Sequence, residues 1–342
     1  EAWSHPINIL YAIKANNNLA IRAIMFQEGA GGDCFGTGEL YATFMGGADP
    51  QKVVLNGSSK TRVEIQRAIE LGIHINLDCA QEVHLVADVA EELGKTASVN
   101  IRLKLIPSEL IGKRSDFFGY CGDDVWRKKF GLTVETAEPI IREIQSDSRF
   151  SLLGYDTHFG RFAREPEVFA GIYAAMAQMI IELRDRTGFE PRVINLGGGW
   201  ARERDPESRA LKLNPYTIED YARAVCDTLL SSFEGATLRV PDLWLEPGRY
   251  IVGNAVHLLT TVGMVKFEGD HTWVNVDTST NDLMQIEMSG TSYHIVPATR
   301  MDRPSDTKVD VVGHTCFPSV LGNDRRLPKV ETGDLLAILD AG

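Results

Sequence analysis

The stretch Ile9-Leu10-Tyr11-Ala12-Ile13-Lys14-Ala15-Asn16 places one lysine at the end of an apolar run that is typical of a buried β-strand. Burying an ammonium group is costly unless the group is paired, neutralised or covalently engaged, so a lysine in this position needs a chemical reason. One explanation is that the surroundings lower the pKa of Lys14 and its amine forms a Schiff base with an aldehyde cofactor. The other is a strand-end lysine whose side chain reaches water.

The segments after Lys14 alternate short apolar runs with amphipathic stretches, which is the pattern of repeated strand–helix units. Eight such strands with helices between them predict an α/β fold, a (β/α)8 TIM barrel. The predicted strands are Ile9–Ala12, Gly31–Phe35, Lys52–Leu55, His74–Leu77, Ser98–Leu105, Leu152–Thr157, Val193–Leu196 and Asp242–Leu245. The predicted helices include Thr61–Leu71, Glu82–Leu93, Thr136–Gln145, Val168–Thr187 and Ile218–Phe233.

The strand–helix pattern ends near residue 250, where strands and turns without obvious helices replace it. We expect residues 8–249 to form the barrel and residues 250–342 to form an all-β, barrel-like C-terminal domain. The approach segment 1–7 is expected to belong with this β domain. Because the chain stops abruptly at Asp340-Ala341-Gly342, we also expect both natural ends to be missing.

The composition excludes several classes of protein. No apolar run approaches the roughly 20 residues of a membrane span. A formal net charge of −12 argues against a nucleic-acid partner, since proteins that bind the phosphate backbone usually present a basic face. Five scattered cysteines without a CxxC pair do not fit a structural zinc site, and they favour a reducing cytoplasm. The sequence therefore predicts a cytoplasmic protein that binds a small molecule and no metal, membrane or nucleic acid.

Charged and polar residues stand in or directly after the predicted strands, and we expect them to meet at the rim where a (β/α)8 barrel gathers its catalytic groups. They are Lys14, Asp33, Asp78, Arg102, His158, Gly197-Gly198-Gly199, Glu246 and Arg249. These residues match the three functional groups of pyridoxal 5'-phosphate. A lysine can bind its aldehyde, a glycine run with an arginine can bind its phosphate, and a carboxylate can pair with its pyridine nitrogen. A glycine run alone is weak evidence, because it also forms tight turns, and Glu246 could serve only as a salt-bridge partner of Arg249.

Six motifs then follow one another as they do in a known enzyme family. They are Tyr11-Ala12-Ile13-Lys14-Ala15-Asn16, Gly36-Thr37-Gly38-Glu39-Leu40, His158-Phe159-Gly160, Leu196-Gly197-Gly198-Gly199, Glu246-Pro247-Gly248-Arg249 and Gly313-His314-Thr315-Cys316. The sequence resembles the fold-type III pyridoxal-phosphate-dependent decarboxylases, the ornithine/diaminopimelate/arginine decarboxylase family, and lies nearest their bacterial diaminopimelate decarboxylase-like branch. The resemblance implies an alanine-racemase-like barrel, a carboxy-lyase that acts on an amino acid, and a homodimer with shared active sites.

The resemblance also implies roles for the barrel residues. Lys14 would bind the cofactor aldehyde, His158 would stack on its ring, and Glu246 would keep its pyridine nitrogen protonated. The cofactor phosphate would be held by Gly197, Gly198 and Gly199, with Gly248 and Arg249 nearby.

Three further residues match the family pattern. Asp33 resembles the family carboxylate near the lysine, and Arg102 resembles the arginine on the following strands. Cys316 of the partner subunit would protonate the α-carbon, although a cysteine considered by itself is more often a small buried hydrophobe.

The chain departs from the family pattern at positions that contact phosphate or substrate. Arg161 stands where the family has a phosphate-binding serine, so it would hold either the phosphate or a substrate carboxylate. The segment beginning at Asp277 resembles the diaminopimelate branch, but the arginine that normally follows it falls at Gln285 and its tyrosine partner near Ser289. Phe317 replaces the acidic residue that follows the cysteine. Asp277, Gln285 and Phe317 are therefore the expected substrate-binding residues.

These departures predict a substrate other than diaminopimelate, lysine or ornithine, because each missing charge partner costs about 1 to 3 kcal/mol. We expect an amino acid with an uncharged, bulky or conjugated side group, such as an acylated siderophore or antibiotic precursor. Three alternatives remain open: a diamino-acid decarboxylase of primary metabolism, an amino-acid racemase, and a non-catalytic decarboxylase-like regulator. Residues 106–129 are read as a mobile loop over the site or, equally, as a surface insertion.

Overall fold

The computed structural model describes residues 2–105, 129–159, 164–204 and 213–342. Eight parallel strands close into a barrel in chain order, which confirms the predicted (β/α)8 fold. The barrel strands are β1 Ile7–Ala12, β2 Gly31–Phe35, β3 Val53–Asn56, β4 His74–Leu77, β5 Ala97–Arg102, β6 Phe150–Asp156, β7 Val193–Asn195 and β8 Asp242–Leu245. Most of these bounds lie within two residues of the sequence prediction; β5 ends three residues earlier, at Arg102.

Helices alternate with the barrel strands. They are α1 Leu19–Gln27, α2 Gly36–Met45, α3 Arg62–Leu71, α4 Ala80–Leu93, α5 Val134–Gln145, α6 Pro166–Thr187, α7 Ile218–Gly235 and the short α8 Arg249–Val252. A capping box begins α3, since Thr61 and Glu64 each accept a backbone N–H from the other. None of the helices in the described parts of the chain is long and apolar enough to cross a membrane.

Two layers of side chains fill the barrel interior at successive inward positions. Leu10, Val54, Val193 and Trp244 form an apolar cluster on four of the strands. Inward positions recur every two residues along a strand, so the next layer toward the carboxyl ends contains Ala12, Asn56, Asn195 and Glu246. The fold thus places amides and a carboxylate at the end of the barrel where active sites lie, on top of an apolar base.

The C-terminal domain contains one six-stranded sheet with the order β11-β14-β9-β10-β12-β13. Its strands are β9 Leu258–Glu268, β10 His271–Val276, β11 Ile295–Pro297, β12 Thr307–Gly313, β13 Val320–Leu327 and β14 Leu335–Ile338. A buried core that includes Val274, Val311, Leu321 and Leu336 packs this sheet. One short helix, α9 Gln285–Ser289, interrupts a domain that the sequence pattern predicted without helices.

Two predicted domain boundaries differ from the structure. Residues 1–7 group with the barrel rather than with the β domain. The reason is that Trp3 donates its Nε1–H to the carbonyl of Pro241 at 3.0 Å, and Ile7 pairs with Leu243 as part of β1. In contrast, residues 201–215, predicted as part of the barrel, group with residues 250–342. Within that unit Arg204 forms an ion pair with Asp340 at 2.6 Å.

Two sequence-based predictions lie outside the described residues. They are the loop over the site, which covers residues 106–128 of the predicted 106–129 segment, and Arg161.

Candidate active site

Lys14 lies directly after β1, in a 3-10 turn formed by Ile13–Ala15. Its Nζ donates to Oδ2 of Asp33 on β2 at 2.6 Å and lies 4.8 Å from the centre of the Phe35 ring. The Asp33 side chain is fully buried, whereas 42% of the Lys14 side chain is exposed. The predicted pair of Lys14 and Asp33 is therefore present.

The pKa of Lys14 is raised, which makes the expected lowering wrong. Removal from water lowers this pKa, but the negative charges of Asp33 and Glu246 raise it by more. The sequence argument considered burial alone, because nothing local to Lys14 shows that two carboxylates face it. The amine must therefore lose a proton before it can act as a nucleophile.

Glu246 follows β8 and is buried among amide side chains. Its Oε1 accepts from Nδ2 of Asn195 at 2.8 Å and from Nδ2 of Asn56 at 3.0 Å. Burial raises its pKa well above the usual range, and the charges of Asp33 and Asp156 raise it further. None of the ion pairs described for the barrel residues involves Glu246.

A ladder of asparagines connects Glu246 to the rest of the barrel centre. Asn100 donates to Asn76 and Asn76 donates to Asn56, each at 2.9 Å, and Asn56 donates to Asp33 at 2.7 Å. Because these side chains come from adjacent strands at one level, they fix the two carboxylates in relation to one another.

Arg102 ends β5 and lies between two carboxylates. Its Nε is 3.7 Å from Oδ2 of Asp156 and 4.0 Å from Oδ1 of Asp78. Its guanidinium also lies 4.5 Å from the ring centre of Phe130. The predicted site arginine is thus almost fully buried and held from several sides.

His158 and the glycine run contact each other directly. The backbone N–H of Gly198 donates to Nδ1 of His158 at 3.2 Å, and that of Gly197 donates to Oδ1 of Asn195 at 2.9 Å. Two of the amides expected to hold a phosphate are therefore used within the site. A Cβ on Gly198 would lie 2.2 Å from the carbonyl oxygen of Glu246, so this run also permits close packing of the loops after β7 and β8.

The turn after β8 packs against the lysine segment. Ala12 donates its N–H to the carbonyl of Pro247 at 3.1 Å, and a Cβ on Gly248 would lie 2.8 Å from that of Ala15. Arg249 is the first residue of α8 and is partly buried. The Glu246-Pro247-Gly248-Arg249 motif and Lys14 are therefore neighbours in the structure.

The expected acid and substrate residues lie in the β domain. Cys316 is an exposed free thiol, and the side chain of Phe317 is 56% exposed. Ser319, which is fully buried, accepts the N–H of Thr280 at 2.9 Å. This bond joins two loops, 277–282 and 314–319, into one surface, which we call the paired loops.

Asp277 and Gln285 occupy different positions relative to the paired loops. Oδ1 of Asp277 accepts from the Thr260 hydroxyl at 2.6 Å and from the Thr261 N–H at 2.8 Å, so this oxygen stabilises the fold of its own loop. Gln285 begins α9 and is partly buried. A substrate-binding role for either residue stays a prediction.

The sequence analysis missed the asparagines of the barrel and Asp156. Each of these asparagines interrupts an apolar strand, as in Val53-Val54-Leu55-Asn56 and Val193-Ile194-Asn195. A polar side chain at an inward strand position could have identified them, because a buried amide requires partners.

Comparison with known proteins identifies this arrangement. A sequence profile of the family described as pyridoxal-dependent decarboxylase, pyridoxal binding domain, matches residues 1–253. The chain belongs to this family. It is 32% identical over 336 residues to the diaminopimelate decarboxylase of Methanothermobacter thermautotrophicus, covering 98% of this chain and 74% of that protein. It is also 32% identical over 353 residues to that of Archaeoglobus fulgidus, covering 100% and 78%.

Solved structures agree with the family membership. The crystal structure of diaminopimelate decarboxylase from M. jannaschii superposes with a TM-score of 0.89 at 32% identity, covering 100% of this chain and 76% of that one. The same enzyme in complex with L-lysine gives a TM-score of 0.87 at 31% identity, covering 99% and 76%. The predicted carboxy-lyase, its cofactor pyridoxal phosphate and its nearness to the diaminopimelate branch are thereby confirmed. The decarboxylase relatives give no support to the racemase or regulator alternatives.

The described residues fit this cofactor. Glu246 is a buried carboxylate whose contacts are amides, which leaves a pyridinium cation as a suitable counter-charge. Lys14 supplies a primary amine beside it, in reach of a carboxylate that can accept its proton. When bound, the cofactor accepts the electron pair that remains on the substrate after carbon dioxide leaves.

Proposed function

We propose that this enzyme decarboxylates diaminopimelate. The observation that carries this proposal is the 32% identity to two diaminopimelate decarboxylases over nearly the whole chain. Diaminopimelate thereby replaces the conjugated amino acid as the main candidate substrate. The departures from the family motifs favoured a conjugated amino acid, but the relatives offer no support for it.

The proposed division of roles begins with the barrel. Lys14 would hold the cofactor through its aldehyde, and Asp33, which contacts Nζ at 2.6 Å, would accept the proton of the ammonium. Glu246 holds a proton on the pyridine nitrogen, and Asn56 and Asn195 orient that carboxylate. His158, whose Nδ1 accepts the N–H of Gly198, would stack on the cofactor ring.

Other groups hold the cofactor phosphate in this proposal. Gly199 and the turn formed by Gly248 and Arg249 provide the phosphate contacts, because the amides of Gly197 and Gly198 already have acceptors. Arg102 balances the buried carboxylates beside the ring.

Cys316 supplies the proton that replaces carbon dioxide on the α-carbon. Its thiol is exposed and free, as a group that acts on a ligand outside its own domain requires. We propose that it acts across the interface of a homodimer, so that each site is completed by the partner chain, and that the enzyme is cytoplasmic.

Two residues keep a second substrate class in consideration. Phe317, which is 56% exposed, follows Cys316, and Gln285 stands where the resemblance expects an arginine for a distal carboxylate. An exposed aromatic ring and an amide suit an uncharged side group better than a second amino-acid head group. A conjugated amino acid is therefore the second candidate.

A substrate panel separates the two candidates. We expect kcat/KM for carbon dioxide release from meso-diaminopimelate to exceed that for L-lysine and for Nε-acetyl-lysine by at least about tenfold, the effect of one lost charge contact. The visible absorbance band of the bound cofactor shows that each preparation is loaded, and Lys14→Ala gives the blank. Faster turnover of Nε-acetyl-lysine would replace the first candidate with the second.

A further inference from the structure

Asp156 is a buried carboxylate to which no role has yet been assigned. It is the last residue of β6, with no exposed surface. In register it lies opposite Arg102 on β5 and Asn195 on β7. Since Arg102 and Asn195 both direct their side chains into the barrel centre, Asp156 faces the same place.

The hydrogen bonding of Asp156 is incomplete. Neither of its carboxylate oxygens has a hydrogen-bond donor among the described residues. Its contact is the ion pair with Nε of Arg102 at 3.7 Å. The neighbouring amide of Asn195 donates to Glu246 instead. A carboxylate left in this state is expensive to bury, and burial raises its pKa from 3.8 to about 6.

The charged groups around Asp156 indicate that its negative charge offsets the positive charge of Arg102. The charged groups that act on it are Arg102, Asp33, Asp78 and Lys14, and its own charge acts on Glu246. Lys14 is matched by Asp33 at 2.6 Å. Asp78 is farther from Arg102, at 4.0 Å, and also accepts the N–H of Gly131 at 2.7 Å.

Arg102 also connects to Glu246 through one amide. Its Nη1 donates to Oδ1 of Asn56 at 3.4 Å, and Nδ2 of the same Asn56 donates to Glu246 at 3.0 Å. An arginine whose charge was not offset would therefore repel the cations that the site must hold, namely the nitrogen of Lys14 and the protonated ring of the cofactor.

We propose that Asp156 is a positioning residue of the cofactor site, which fixes Arg102 at the barrel centre and offsets its charge. Through this offset Glu246 and Asp33 remain available to stabilise the cofactor's cationic nitrogens. The inference rests on the established cofactor and does not depend on which amino acid is the substrate.

The test measures the pH midpoint of the bound cofactor's visible band in holoenzyme, which reports protonation of the Lys14 nitrogen. Asp156→Asn keeps the side-chain shape but removes a negative charge, so the midpoint should fall by about one pH unit, as expected for a unit charge about 10 Å away at an effective dielectric constant of about 20. Arg102→Gln should raise it by a similar amount. The double variant should lie close to the wild type, since the two charges cancel.

Three further measurements separate this role from a merely structural one. Tyr155→Phe, on the same strand but in contact with Phe189 rather than the barrel centre, should leave the midpoint unchanged. In Asp156→Asn kcat should fall about tenfold with little change in KM, and cofactor dissociation, followed by absorbance on dilution, should become faster.

The proposal is overturned if Asp156→Asn folds and keeps the wild-type midpoint, or if the double variant retains the full shift of Arg102→Gln. Should Asp156→Asn alone fail to fold, the comparison of Arg102→Gln with the double variant still decides the question.

Discussion

The barrel end and the paired loops of the β domain hold their carboxylates in opposite ways. Glu246 and Asp156 are buried, and burial raises the pKa of both. Asp277 and Asp282 lie on the exposed surface, where hydrogen bonds from threonine and serine groups lower the pKa of both. In the barrel, neither oxygen of Asp156 has a hydrogen-bond donor among the described residues, whereas Asp277 and Asp282 accept hydrogen bonds that fix the backbone of their own loops. Phe317, an expected substrate-binding residue, is exposed on these loops.

The largest expected effect comes from removing the barrel's nucleophile. Lys14→Ala should lower the rate of carbon dioxide release by at least about 10³-fold, because no other described amine contacts Asp33. Borohydride reduction followed by peptide mass analysis should attach the cofactor to Lys14 in the wild type and to no residue in the variant. Lys52→Ala is the matched control, since Lys52 is a half-buried lysine outside the site whose Nζ donates to the carbonyl of Gly29.

An experiment that mixes two inactive variants tests whether the barrel end of one chain and the paired loops of its partner form one site in a dimer. Lys14→Ala and Cys316→Ala should each be inactive, whereas co-refolded mixtures should recover about one quarter of wild-type activity, since half of the dimers carry one intact site. A mixture that stays inactive would contradict the shared site but not the barrel chemistry.

The third prediction concerns pH: the pH dependence of stability should have opposite signs for a carboxylate of the barrel and one of the paired loops. Asp156 binds its proton more tightly in the folded state, so its contribution to stability is present below its unfolded pKa near 4 and is lost as pH rises through about 6. A shift from 3.8 to about 6 corresponds to at most about 3 kcal/mol. Asp282 has a lowered pKa, so its contribution is present above its unfolded pKa and is lost as pH falls through the folded value.

Urea unfolding of cofactor-free protein between pH 3 and pH 8 measures both effects. The urea concentration at the midpoint of unfolding of the wild type, compared with that of Asp156→Asn, should fall as the pH is raised from about 4 to about 6. Compared with that of Asp282→Asn, the urea midpoint of the wild type should instead fall as the pH is lowered below about 4. If both differences in urea midpoint changed in the same direction with pH, the proposed contrast between the barrel and the paired loops would be wrong.

The smallest effect is expected where the paired loops meet. Ser319→Ala removes the hydroxyl that accepts the N–H of Thr280 and should lower the free energy of unfolding of the β domain by about 1 to 3 kcal/mol. KM should rise while cofactor affinity stays unchanged. Ser319→Gly is the control: it loses the same hydroxyl but suits the backbone, whose φ is +46°. A glycine variant less stable than the alanine variant would contradict this account.

Much of the fold could be predicted from the sequence because strand and helix periods are local properties. The alternation from Ile9 to about residue 250 predicted all eight barrel strands, and polar residues in or directly after the strands placed Lys14, Arg102, His158 and Glu246 at one end of the barrel. The boundaries that failed depended on contacts remote in sequence. Trp3 joins the barrel through Pro241, and Arg204 joins the β domain through Asp340.

The sequence by itself determined which chemical groups stand at the end of the barrel, since the carboxyl ends of parallel strands share one face. Only the tertiary structure decided how those groups are charged. Lys14 meets Asp33 at 2.6 Å, and Asn56 reaches Glu246, 190 positions away, at 3.0 Å. Electrostatic and hydrogen-bond energies depend on such distances and on burial, which no local pattern contains. For that reason Lys14 could be found from its strand, but the direction of its pKa shift could not.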